Sequence, residues 1–117
     1  MAPPFGGRNP LGGLGDISKL MKQAQKMQED MLAAQEELEA ARIEASSGGG
    51  AVTATVSGKG KLTSIVIDPS AVDPDDVEML QDLIVTAVRE AQERAEAEAE
   101  TRMKGIAGSA GLPPGLL

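Results

Sequence analysis

The chain has no histidine, no cysteine, no tryptophan, no tyrosine and a single phenylalanine, Phe5. Each absence removes a class of function. Without cysteine there are no disulfides and no thiolate metal sites. Without histidine and cysteine, the commonest general base and the most nucleophilic side chain are both missing. The carboxylate pairs Glu36/Glu37 and Asp75/Asp76 are adjacent in sequence. On a helix such neighbours diverge by about 100°, so they read as surface and cap residues rather than a shared acid–base site. No acidic spacing matches a calcium-binding loop. With one aromatic among 117 residues, a core must be assembled from Leu, Ile, Val and Met. Small cores of this kind often draw extra stability from oligomerisation. No run approaches the roughly 18 apolar residues that span a bilayer, and the N-terminus lacks the apolar centre of a signal peptide. The expectation is a cytoplasmic protein that assembles and binds. No catalytic residue, metal, cofactor, membrane or small-molecule substrate is expected.

What is present is a heptad stripe. Ile17, Ala24, Met31 and Leu38 fall seven apart, and Leu20, Met27, Ala34 and Ala41 fall three beyond each of them. All eight positions are apolar, which is the seam of a helix that packs along another helix. Asp16 is placed to cap this helix. Residues 1–15, dense in Gly and Pro, read as a flexible leader.

The charge is uneven. The net charge is -7. Residues 1–28 hold Arg8, Lys19, Lys22 and Lys26 against Asp16, a net +3, so the rest of the chain carries -10. An acidic chain is a poor nucleic-acid binder as a whole. A basic segment can still act locally, because charges are felt over about 8–10 Å at physiological salt. Lys19, Lys22 and Lys26 sit at i, i+3 and i+7, away from the seam, on one flank of the helix. They read either as a solvated face or as a row of point charges that follows DNA phosphates. Arg102 and Lys104 form a second cationic pair, equally suited to complementing a helix C-terminus.

After Arg42 the pattern changes. Ile43 to Ser47 suits a short strand, and Ser46-Ser47-Gly48-Gly49-Gly50 supplies turn chemistry. Ala51 to Ser57 alternates with period two, and Lys61 to Asp68 follows across the Gly58-Lys59-Gly60 loop. Ile65 and Ile67 fall on one face of that strand, Leu62, Ser64 and Val66 on the other. The loop has the wrong spacing for a phosphate cradle and precedes a strand, so it reads as a hairpin. Asp73-Pro74 suits the N-cap and first residue of a second helix. Val77, Leu80, Leu83, Ile84, Ala87, Val88 and Ala91 give this helix a broad apolar face. Beyond Ala91 the sequence turns to Ala and charge and reads as a solvated arm ended by Gly105. Residues 16–104 thus read as one α+β domain with two or three antiparallel strands between long helices, and 105–117 as a flexible tail.

Several segments resemble the YbaB/EbfC family of nucleoid-associated proteins. They are Leu20 to Gln28 (LMKQAQKMQ), Gly50 to Gly58, Ile67 to Ser70 (IDPS), Glu78 to Ile84 (EMLQDLI) and Gly111 to Gly115 (GLPPG). The resemblance implies a tweezer-like homodimer with a sheet core and projecting helices. It further implies mainly non-specific binding of duplex DNA in the nucleoid, with roles in nucleoid organisation and regulation. Carried onto this chain, it assigns DNA contact to Lys19, Lys22 and Lys26, with Arg8, Arg102 and Lys104 as further candidates. The acidic run Glu90 to Glu100 and the short tail depart from the family pattern. The rival reading is a protein-docking module that uses the seam and the acidic arms without touching DNA.

Overall fold

The computed structural model describes residues 10–109, with side chains from 16 to 108. Helix α1 spans Pro10–Ala40, strands β1, β2 and β3 span Ile43–Ser47, Val52–Val56 and Leu62–Ile67, and helix α2 spans Val77–Ser109. A 3-10 turn at Pro69–Ala71 joins β3 to α2. The strands form an antiparallel meander in the order β1-β2-β3. This is the expected α+β architecture with three strands.

Alternation decides what the sheet buries. Ala45, Val52, Ala54 and Val56 are buried against α2, with Ile65 and Ile67 packed beside them. The opposite face carries Ser46, Thr53, Ser64 and Val66, and the Ser46 and Thr53 hydroxyls bond each other at 2.9 Å. The β1–β2 turn uses three glycines with positive φ, Gly48, Gly49 and Gly50, a region that costs glycine little. The β2–β3 hairpin turns at Gly58–Gly60, as expected. Buried Ser57 holds it by accepting the backbone N–H of Lys59 and of Lys61, each at 3.3 Å.

Gly58 lies close against the end of α1. Its N–H donates to the Leu38 carbonyl at 2.7 Å. A Cβ at this position would sit 2.6 Å from that same oxygen. The absence of a side chain therefore lets the last turn of α1 seat on the hairpin.

Four expectations need correction. Helix α1 begins at Pro10, so Asp16 lies inside it rather than capping it. Proline at the first helical position has its φ already set for the helix, and the turns that follow carry through three glycines. Helix α2 begins at Val77, not at Pro74. Asp73 instead folds a turn, its carboxylate accepting the Asp75 N–H at 2.9 Å. Asp76 is the cap, accepting the Met79 N–H at 3.2 Å. Helix α2 also continues past Gly105 to Ser109, because Ala107 is fully buried and Ile106 half-buried. That packing offsets the roughly 1 kcal/mol a helical glycine costs.

The fourth correction concerns the stretch beyond Ala91, which is not a solvated arm. Ala87, Ala91, Ala95, Ala99, Met103 and Ala107 recur every fourth residue. Ala87, Ala91, Ala95 and Ala107 are fully buried, and Ala99 and Met103 are half-buried. Small side chains let α2 lie close, first on the sheet and then along α1. Asp68, at the end of β3, accepts the Ser70 N–H and hydroxyl. These bonds hold its carboxyl below the ordinary value, the backbone N–H contributing most.

The described residues form a rod. Its extents are 92 × 23 × 16 Å and its radius of gyration is 24.2 Å. A compact chain of this length would have a radius near roughly 13 Å.

Candidate nucleic-acid interface

The two helices run antiparallel as a stalk. Near the sheet, Lys59 in the hairpin bonds Glu39 at 2.9 Å, and Gln92 of α2 donates to the Gly60 carbonyl at 3.1 Å. Further out, Arg102 bridges to Glu37 at 2.7 Å. Further still, Asp30, Ala33 and Ala34 share a groove of about 460 Å³ with Gly105 and Ile106. Numbers fall along α1 as they rise along α2. By this register α2 reaches Ser109 close to where Asp30 stands on α1.

The seam of α1 divides at the same place. Ala34 is 7% exposed and Leu38 3%, and Met27, Met31 and Ala41 are half-buried. Ile17 is 53% exposed and Leu20 64%, and Ala24 is exposed. One unbroken stripe is thus covered over its second half and, among the described residues, left bare at Ile17, Leu20 and Ala24. The stretch from Asp16 to Gln28 projects as a single helix, about 20 Å long.

All three lysines lie on that single-helix tip. Lys19, Lys22 and Lys26 are exposed and form no salt bridge among the described residues. The tip carries them against one acid, Asp16. Their ammonium groups are therefore open to an external anion.

Arg102 and Lys104 differ in this respect. Arg102 is held by Glu37 and, at 3.3 Å, by Glu98, and Lys104 lies 3.4 Å from Glu100. Arg94 pairs with Glu90 at 2.8 Å and also donates to the Glu44 carbonyl at 2.8 Å. Their charges are answered within the stalk. Arg8 lies outside the described residues. Exposed Arg42 and Arg89 form no salt bridge among the described residues. They stand alone on separate elements, and no spacing in the sequence marks them.

Fold and surface together define an elongated α+β protein with a cationic single-helix arm. The described residues hold no cluster of acidic groups able to bind a metal. No described helix is long and apolar enough to cross a membrane. Residues 13–110 match the model of the YbaB/EbfC DNA-binding family, and the chain belongs to that family. It is 52% identical over 108 residues to a nucleoid-associated protein of Ruminiclostridium cellulolyticum, covering 92% of this chain and 94% of that one. It is 47% identical over 108 residues to a nucleoid-associated protein of Streptomyces griseus, covering 89% and 95%. Among solved structures it resembles an uncharacterized protein of Helicobacter pylori, with a TM-score of 0.58 and 25% identity over 78% of this chain and 86% of that one.

Proposed function

We propose that this chain is a nucleoid-associated protein that binds duplex DNA through phosphate contacts and acts in nucleoid organisation and regulation. The observation that carries the reading is the trio Lys19, Lys22 and Lys26, exposed and unpaired among the described residues, on a part of α1 that the described part of α2 does not accompany. Phosphate contacts give affinity and register without reading sequence. The family and the names of the relatives point the same way.

The working unit is a homodimer, located in the cytoplasm at the nucleoid. Support comes from apolar side chains left exposed among the described residues: Leu62 and Val66 on edge strand β3, and Val77, Met79 and Val85 on α2. A second copy would bury them and place six lysines on one particle. Sedimentation equilibrium at micromolar concentration should give about twice the chain mass of 12.0 kDa. A folded monomer would refute the dimer.

The DNA reading is tested by replacing Lys19, Lys22 and Lys26 with Gln, which preserves helix propensity and the seam. Binding to unrelated duplexes should follow salt with a slope of about -0.9 per phosphate neutralised, up to roughly -5 for six lysines. The triple variant should flatten that slope and weaken binding equally on every sequence. A shift indifferent to these lysines, or no shift at low salt, would favour the protein-docking module instead.

A further inference from the structure

Charge and packing change at the same residue of α1, and the coincidence has a consequence for where a duplex can sit. Up to Gln28 the helix is alone and carries three lysines against one aspartate. From Glu29 onward it gains α2 as a neighbour, and its charged side chains are all acidic: Glu29, Asp30, Glu36, Glu37 and Glu39. The facing part of α2, residues 90–109, carries five glutamates against Arg94, Arg102 and Lys104. All three of those cations are engaged by stalk carboxylates. Glu29, Asp30 and Glu36 form no ion pair among the described residues. The stalk therefore offers a phosphate unpaired acids and no unpaired cation.

We propose that the acidic stalk is a depth stop, which confines the duplex to the tip of α1 and holds it off the sheet body. The proposal rests on the reading of the tip lysines as phosphate contacts. Glu29 stands one helical turn from Lys26, about 4.5 Å along the axis. A phosphate on Lys26 thus feels Glu29 and Asp30 within a Debye length of about 8–10 Å. A phosphate on Lys19 stands about 15 Å from Glu29 along the axis and is largely screened from it. Attraction at the tip and repulsion one turn behind it together select a seat. Solvation alone would give the stalk acids no reason to act differently from acids elsewhere on the surface, and that difference can be measured.

The test compares two variants of the full chain with the same change in net charge. One replaces stalk acids, Glu29→Gln, Asp30→Asn and Glu36→Gln. The other replaces acids on the body, Glu44→Gln, Asp75→Asn and Asp82→Asn. Removing Glu29 and Asp30 from within a Debye length of the bound phosphates, with Glu36 behind them, should tighten binding to a mixed-sequence duplex about five- to tenfold at low salt. The body variant should gain about twofold or less, and both should melt as the parent does. Position is read separately. The chain has no cysteine, so Gln25→Cys or Ala33→Cys can carry a photo-cross-linker at a single site. In the parent, cross-linking to DNA should be strong from position 25 and weak from 33. In the stalk variant, position 33 should gain. Equal tightening by both variants, or strong cross-linking from 33 in the parent, overturns the stop while leaving DNA binding through the lysines intact. If the lysine-to-glutamine triple binds as the parent does, the underlying reading fails and the stop falls with it.

Discussion

The two halves of α1 share one heptad pattern and meet opposite fates. In the stalk half, Ala34 and Leu38 are buried against the rest of the chain, whereas in the tip half Ile17 and Leu20 are more than half exposed. A seam states that a helix could be covered; it does not state by what, or along how much of its length. The length of α2 decides that, since it reaches Ser109 only near Asp30. Polar residues follow the same division, with unpaired lysines on the tip and acids on the stalk.

The sharpest way to break this comparison is to place a charge at one leucine of the seam in each half. Leu38→Asp buries an unpaired carboxylate under the hairpin and should cost several kcal/mol, enough to abolish the cooperative melt. Leu20→Asp should cost about 0.5 kcal/mol or less within one chain. Circular dichroism melts of both variants check the difference. Equal loss would mean that the tip seam is buried in the assembled protein, and the two halves would then be alike.

A smaller effect is expected at the joint between stalk and body. Gly58→Ala pushes a methyl group against the Leu38 carbonyl, 2.6 Å away, and neither backbone can yield without losing the 2.7 Å bond between them. The cost should be about 1–3 kcal/mol by melting, with faster amide exchange in the last turn of α1. An unchanged melt would show that the helix end shifts freely on the hairpin.

The smallest effect belongs to the clasp between the two helices. Arg102→Gln removes the links to Glu37 and Glu98. The glutamates are well exposed, so the loss should be about 1 kcal/mol or less and should shrink as salt rises. Binding to DNA should not weaken, because Arg102 is already held by acids. A tenfold loss of affinity would move Arg102 from the stalk to the interface.

Much of this architecture is legible in the residues. Period-two alternation places β2 and β3 to within a residue, and the Gly58–Gly60 hairpin follows from its glycines. The lysine trio is visible because it stands off the seam. The outer half of α2 departs from the expected solvated arm for a physical reason. Ala alternating with Glu resembles solvated helix, yet Ala91, Ala95, Ala99, Met103 and Ala107 fall on one face at four-residue spacing. The value of that face lies in smallness rather than hydrophobicity, which a search for Leu and Ile overlooks. The helix starts differ from expectation because Asp16 and Asp73 are competent caps, and local propensity does not say which competent cap is used. The division of the cations into paired and unpaired was not legible at all. Arg102 and Glu37 are far apart in sequence, and only the antiparallel stalk brings them together.

The seat of α1 on Gly58 also sets the mechanics of the arm. Helix α1 is held at Leu38 by that backbone bond and along the stalk by α2, so a change in its seat tilts stalk and tip together as one lever. Lys19 lies about 28 Å out along that lever. A tilt of about 5° at the hairpin would sweep Lys19 by about 2.5 Å over that length, close to the reach of a hydrogen bond. Small adjustments at the sheet would thus be amplified at the lysines, far from where the adjustment is made.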